Sequence, residues 1–320
     1  MNWNVYVTRL IPQPGIDLLK KHCKIVDINP DDRVLTRAEL LRNVKGRDAV
    51  LCLLTDRIDD EVFAAAAPQC RIFANYAVGF NNVDVEAAKR RKVRVSNTPG
   101  VLTDATADMA WALLFAASRR IAESDKFMRT GRWAGWGPMQ FLGQDITGRT
   151  LGVIGVGRIG ANFALKSAGF SMKVLYTDMA SSLELESKLG ARKVPLDELL
   201  RESDFISVHV PLMPETTHLI SRKQFEMMKP TAVLVNTSRG PVVDEKALVE
   251  ALRAGRIAAA GLDVYEEEPK AAPGLLELDN VVACPHTASA TIETRTKMAL
   301  MAAKNLIAAL EGREPPNAVA

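Results

Sequence analysis

Three segments hold the side chains best suited to moving a proton and gripping an anion. NTSRGPVVDE (Asn236–Glu245) carries Arg239, GLDVYEEEP (Gly261–Pro269) carries three consecutive glutamates, and CPHTASA (Cys284–Ala290) carries His286. A guanidinium offers a planar fork of donors to a carboxylate or carbonyl oxygen. An imidazole changes charge near neutral pH and can give or take a proton. A carboxylate bonded to such a ring favours its charged form. A lone histidine behind a strand serves packing as readily as chemistry, so His286 needs the other two segments beside it.

A fourth segment, TLGVIGVGRIG, sets Gly155, Gly157 and Gly160 in a G-x-G-x-x-G pattern after an apolar run. The first glycine allows a tight turn and the second lets a pyrophosphate approach the backbone. The third lets the following helix pack closely on the strand. Amides at that helix start then face the phosphates with the helix dipole behind them, and Val156, Arg158 and Ile159 of the same loop are expected to bind the cofactor. Asp178 lies 18 residues beyond Gly160, at the end of the next apolar run. That is where an acid would hold an adenosine ribose 2′-hydroxyl. Its charge would repel a 2′-phosphate, and no Lys or Arg follows before Lys188. NAD(H) is therefore favoured, with NADP(H) possible.

These segments must sit at strand ends. Strand-like runs at Val5–Thr8, Ile25–Ile28, Ala49–Leu54, Arg71–Asn75 and Val93–Ser96 alternate with helical patterns. A second series follows at Leu151–Ile154, Lys173–Tyr176, Phe205–Val208, Ala232–Val235, Ala258–Leu262 and Val281–Ala283. Such alternation predicts an α/β protein with two Rossmann-like, doubly wound parallel sheets. A long helix is expected from Thr103 to Glu123, with Met109, Leu113 and Ala117 on its apolar face. Another is expected after Ile292, through Met298, Met301, Leu306 and Leu310. If that last helix returns to the first sheet, the first domain is discontinuous. The expected division is 1–98 with 290–320 as a flavodoxin-like substrate domain, and 99–289 as the dinucleotide-binding domain. Ligands in such sheets bind outside the carboxyl ends of the strands. One Arg, one Glu and one His could then meet beside a bound nicotinamide.

Bulk properties exclude several classes. The chain has 320 residues, 48% hydrophobic and 25% charged, and a net charge of +3, too small to imply a polyanionic partner. No nucleic-acid partner is expected. Cys23, Cys52, Cys70 and Cys284 show no CxxC pair or metal-ligand spacing, so no metal is expected and a reducing, cytoplasmic setting fits. The opening MNWNVYVTRL has no basic region before an apolar block, and the apolar stretch at Met109–Ala117 is too short for a bilayer. Neither a signal peptide nor a membrane association is expected.

Taken in order, these motifs resemble the D-isomer-specific 2-hydroxyacid dehydrogenase family across essentially the whole chain. NYAVGFNNVD (Asn75–Asp84), NTPGVLTDATAD (Asn97–Asp108) and HVPLMPETTHLI (His209–Ile220) bring the likeness closest to glyoxylate/hydroxypyruvate reductases. The resemblance implies a catalytic trio of Arg239, Glu268 and His286. It implies that the backbone amides of Val78 and Gly79 hold the substrate carboxylate together with Arg239. It places Asp263 at the nicotinamide carboxamide, and Thr106, Val210, Pro211, Thr216, Thr237, Ser238, His286 and Ala288 along the cofactor. His209 is near the nicotinamide by analogy, or a satisfied structural residue. His22 and His218 read as surface residues, and Glu266 and Glu267 as solvated acids. The chain has Thr287-Ala288 where many relatives carry Ile-Gly, and Asn81 where Asp is common.

The expected reaction is reduction of a small, unphosphorylated 2-oxoacid, glyoxylate or hydroxypyruvate, by NADH with His286 as proton donor. Glu268 speaks against the formate dehydrogenase branch, where an amide fills that place. The loop NYAVG lacks a basic residue for a phosphorylated substrate. Alternatives are a D-lactate-type or other D-2-hydroxyacid dehydrogenase acting on pyruvate or a bulkier oxoacid, and an NAD-sensing corepressor-like binding protein. GRWAGWGPMQFLG (Gly131–Gly143) holds Trp133 and Trp136, whose exposed apolar area calls for a cover. A homodimer is expected, with one of these tryptophans a candidate to reach the partner's site.

Overall fold

A computed structural model describes residues 2–320. The chain divides into two compact units: residues up to Leu102 with Ala290–Ala320, and Thr103–Ser289.

The first unit contains strands β1 (Asn4–Val7), β2 (Ile25–Ile28), β3 (Ala49–Cys52), β4 (Ile72–Asn75) and β5 (Arg94–Ser96). They form a parallel sheet in the order β2-β1-β3-β4-β5, the flavodoxin-like arrangement. Every residue of β3 and β4 is buried. Helices covering both faces explain why these strands read as unbroken apolar runs rather than alternating ones. Helix starts are set locally: Thr36 closes a capping box with Glu39, while Asp59 and Asp84 accept from Val62 and Ala87 amides. The helix Ile292–Leu310 belongs to this unit. Its Asn305, fully buried, donates to the Asn97 carbonyl at 3.0 Å and accepts from the Asn317 amide at 3.2 Å. The carboxyl end of the chain then lies along β5, where the Val319 amide reaches the Val95 carbonyl at 2.8 Å.

The second unit contains β6 (Thr150–Ile154), β7 (Lys173–Thr177), β8 (Arg192–Lys193), β9 (Phe205–Val208), β10 (Val233–Asn236), β11 (Ala259–Leu262) and β12 (Val281–Ala283). All pair in parallel, in the order β12-β11-β10-β9-β6-β7-β8. This is the doubly wound Rossmann order with one strand added, and its switch point lies between β6 and β9. Only β8 was not legible as a strand, because two exposed charged residues carry no apolar pattern.

The helix expected over Thr103–Glu123 is two helices, Thr103–Ser118 and Ile121–Arg129. Arg120 between them has a left-handed φ of 53°, which stops the first helix. The stripe through Met109, Leu113 and Ala117 also understates the burial of Thr103–Ser118. Ala107, Ala110, Trp111 and Leu114 are buried as well. Trp111 stacks on Phe163 at 4.8 Å and donates its indole N–H to the Phe163 carbonyl at 3.0 Å. Only Asp104, Asp108 and Ala112 are exposed, a solvent stripe too narrow to set a single apolar face apart in sequence.

Candidate active site

The carboxyl ends of β10, β11 and β12 lie side by side and each runs into one of the three reactive segments. After β10, the Asn236 side chain accepts from the Ser238 amide at 3.0 Å and donates to the Arg239 carbonyl at 3.0 Å. This Asx-type turn fixes the backbone beneath Arg239. Gly240 follows, and a Cβ there would fall onto the Tyr265 carbonyl and the Glu266 nitrogen. Only glycine lets the Arg239 turn and the Glu268 loop pack this closely. After β12, the His286 amide donates to the Asp263 carbonyl at 2.8 Å. The Asp263 carboxylate accepts from the Thr287 and Ala288 amides, both at 2.7 Å. His286 itself has a left-handed φ of 57°, a strained state for a non-glycine residue that these flanking bonds hold in place.

The His286 ring meets Glu268 directly. Nδ1 lies 2.9 Å from Oε2 and 3.1 Å from Oε1, so Nε2 is the nitrogen available to a ligand. The Tyr265 amide donates to Glu268 Oε1 at 3.2 Å. Burial pushes the Glu268 carboxyl up, but the His286 bond and charge, the Tyr265 amide and the Arg239 charge together hold it below the ordinary value. It is a carboxylate at neutral pH. Arg239 is half-buried; burial draws its guanidinium down, and the Glu268 charge opposes that. An imidazole, the carboxylate bonded to it and a guanidinium thus share one edge of one sheet.

At the switch point, Gly155 follows β6 with a φ of 87°, which suits glycine. A Cβ at Gly160 would overlap the Gly155 carbonyl. The helix Arg158–Lys166 begins at Gly157 without a side-chain cap. Amides of Arg158, Ile159 and Gly160 therefore find no acceptor among the described residues, which suits a phosphate. Asp178 Oδ2 accepts from the Val156 amide at 2.7 Å and Oδ1 from the Met179 amide at 2.6 Å. Thr237 Oγ1, just beyond β10, is buried with no partner among the described residues. An orphaned hydroxyl and unpaired amides at the carboxyl edge of this sheet fit a dinucleotide. Thr216 Oγ1 donates to the Pro211 carbonyl at 2.7 Å and closes the loop that begins with Val210. Thr106 is buried on the helix Thr103–Ser118.

Within the first unit, three consecutive carbonyls after β4 are engaged by protein donors. Ala77 O accepts from the Thr98 amide at 2.9 Å, Val78 O from Asn97 Nδ2 at 2.8 Å and Gly79 O from Asn75 Nδ2 at 2.9 Å. In a trans peptide the N–H points opposite to the C=O. The N–H groups of Val78, Gly79 and Phe80 therefore point away from these partners, and none has an acceptor among the described residues. Such a run of amides makes an anion-binding concavity.

Residues 111–288 match the family described as D-isomer specific 2-hydroxyacid dehydrogenase, NAD binding domain. Over the full length, the chain is 52% identical to a glyoxylate reductase of Korarchaeum cryptofilum, covering 100% of this chain and 96% of that one. A glyoxylate reductase of Thermococcus onnurineus is 50% identical at the same coverage. The chain belongs to the D-isomer-specific 2-hydroxyacid dehydrogenases. As a member of that family it is an oxidoreductase acting on a CH–OH group with a nicotinamide cofactor. Among solved structures, the TT0316 protein of Thermus thermophilus is similar with a TM-score of 0.93 and 43% identity, covering 99% of this chain and 100% of that one.

Some features of this dehydrogenase differ from the sequence expectations and others agree with them. Glu266 is not simply solvated: Oε1 pairs with His218 Nε2 at 2.6 Å and Oε2 accepts from the Glu245 amide at 3.2 Å. His218 is thereby engaged, though exposed, and His22 lies 3.7 Å from Glu311 at the surface. His209 is a satisfied structural residue. Its Nε2 meets Ser207 Oγ at 2.8 Å, its ring packs on Phe163, and burial pushes the imidazole down to about 3, keeping it neutral. Asp263 has no exposed surface, and its oxygens are committed to the turn that carries His286. Lys193 on β8, invisible as a neighbour in sequence, reaches the Met179 carbonyl at 2.8 Å, next to Asp178. Glu245, a carboxylate only 4% exposed, stands outside the sequence expectations altogether. It opens the helix Glu245–Arg253, and nothing local in the sequence announces its partners. Among the described residues no cluster suits a metal ion, and no helix is long and apolar enough to cross a membrane.

Proposed function

We propose that this dehydrogenase reduces glyoxylate or hydroxypyruvate to the 2-hydroxyacid, with NADH as the preferred cofactor. The observation that carries the reading is the His286–Glu268 bond on the same sheet edge as Arg239 and the glycine loop. Full-length relatives named glyoxylate reductase give the substrate class. When bound, the reduced nicotinamide supplies the hydride that reaches the carbonyl carbon. His286, as imidazolium, releases its Nε2 proton to the oxygen that gains charge, while Glu268 keeps Nδ1 and steadies the cation. Arg239 binds the substrate carboxylate and polarises the carbonyl. In the first unit, the carboxylate role belongs to the amides of Val78 and Gly79, and Phe80 adds a third. Thr106, Val210, Pro211, Thr216, Thr237 and Ser238 line the cofactor, with Ala288 beside the nicotinamide. Asp263 serves that side by fixing the turn of His286 and Ala288.

A panel of glyoxylate, hydroxypyruvate, pyruvate and phosphohydroxypyruvate, each with NADH and NADPH, tests the reading. Glyoxylate or hydroxypyruvate should give the highest kcat/KM. Pyruvate ahead of both would point to the D-lactate type, and inertness toward every oxoacid to a binding protein.

Asp178 sets the cofactor preference, because a carboxylate already holding the Val156 amide repels a 2′-phosphate. Asp178→Ser should raise the NADPH-to-NADH ratio of kcat/KM about tenfold or more, roughly 1.4 kcal/mol or above. With the repulsion gone, Lys193 provides a nearby cation. An unchanged ratio would refute the role of Asp178.

The working assembly is a homodimer in the cytoplasm. Trp136, Met139 and Leu142 are 84%, 77% and 56% exposed, an apolar stretch that a second copy would cover. All four cysteines are free, as a reducing compartment allows. Light scattering should give about twice the 34.9 kDa of one chain; a monomeric mass would overturn this.

A further inference from the structure

The loop that carries Glu268 is anchored by one buried carboxylate. Glu245 opens the helix Glu245–Arg253, directly after its N-cap Asp244. Its Oε1 accepts from the Glu266 amide at 2.6 Å and its Oε2 from the Ala272 amide at 2.7 Å. The two bonded amides flank Glu268 in the chain, one on each side. Glu266 returns the contact, its Oε2 accepting from the Glu245 amide, while its Oε1 pairs with His218. Gly240 presses on the same loop at Tyr265 and Glu266, without room for a Cβ.

Burying a carboxylate costs several kcal/mol unless its lone pairs are used. Burial indeed pushes the Glu245 carboxyl up; the two amides oppose that, and the charges of Glu266 and Glu268 add to it. A glutamine would satisfy one amide and set its own NH2 against the other. A carboxylate is the side chain that accepts from both.

We infer that Glu245 is a positioning residue of the catalytic pair: it clamps the loop on both sides of Glu268 and so holds that carboxylate on His286 Nδ1. The inference rests on the acid role of His286 proposed above. Glu245 touches neither substrate nor cofactor; it acts through the bond distance between Glu268 and His286.

The test is the full-length enzyme carrying Glu245→Gln, alone and combined with Glu268→Gln. In the single variant kcat for oxoacid reduction should fall about ten- to a hundredfold, the usual effect of misplacing a catalytic group by about an ångström. The KM for NADH should stay within about twofold, since the glycine loop lies on other strands. The His286 bond helps hold the Glu268 carboxyl below its ordinary value, so the acid limb of the kcat profile should move to higher pH as Glu268 loosens. The charged groups around the ring are Glu268 and Asp263, with Arg239 beside Glu268; those facing Glu245 are Glu266 and Glu268. In the Glu268→Gln background, Glu245→Gln should add little, as expected when two residues act in one chain of effects.

A parent-like pH profile, or a loss that multiplies with that of Glu268→Gln, would overturn the inference even if the thermal midpoint fell. If Glu245→Gln does not fold, Glu245→Asp, which keeps the charge but is one methylene shorter, is read by the same profile and the same cycle. His286→Ala separates the two levels of argument. Parent-like turnover there defeats the catalytic reading itself. Low turnover there, with a parent-like Glu245 variant, defeats only the clamp.

Discussion

His286→Ala should lower kcat for oxoacid reduction about a hundred- to ten-thousandfold, the span general acids contribute. The reason is the arrangement on β11 and β12. With Nδ1 bonded to Glu268 at 2.9 Å, the ring is held with Nε2 as its only other proton-bearing atom. Water can replace the proton but not its fixed position, so the loss falls on kcat. NADH binding should largely survive, because the glycine loop and Asp178 lie on β6 and β7, which the substitution does not touch. Steady-state kcat, paired with NADH fluorescence titration, checks both halves. Unchanged turnover would remove His286 from the chemistry. Lost NADH binding with lost turnover would make it a structural residue of the nicotinamide pocket.

Arg239→Gln should cost about a thousandfold in kcat/KM for the 2-oxoacid, near 4 kcal/mol, in the range found when one partner of a buried charge pair is removed. Both kcat and KM should suffer, since the same guanidinium binds the carboxylate and polarises the carbonyl. Arg239→Lys should recover only part of it, because an ammonium is a point charge without the planar fork. A second consequence has a defined sign. The Arg239 charge helps hold the Glu268 carboxyl below its ordinary value. Without it that carboxyl titrates higher, so the acid limb of activity should move up in pH. A kcat/KM within threefold of the parent would dismiss Arg239 as a ligand of the substrate.

Much of this site is legible in the chain because its requirements are local. The glycines at 155, 157 and 160 are dictated by a turn and a close helix, both decided within a few residues. Strands β3, β4, β9 and β10 read as apolar runs because both faces are covered, and the βαβ alternation implies parallel sheets. The two-residue β8 and the break at Arg120 escaped, since neither leaves an apolar period.

Sequence by itself determined the architecture and the family, and it singled out Arg239, Glu268 and His286 as candidates, because periodicity and motif order are written along the chain. Tertiary structure alone decided which groups answer one another. Glu245 meets an amide 27 residues away at Ala272, and Lys193 comes to lie beside Met179. Asn75 and Asn97 turn the peptides after β4 so that their amides face outward, and Thr237 is left with an unpaired hydroxyl. Such pairings join segments that approach only when separate strands enter one sheet, so no local propensity encodes them. Glu266 shows the contrast within a single turn. In sequence it reads as a solvated acid, and in the fold it links His218 to the clamp while Glu268, two residues on, takes the histidine.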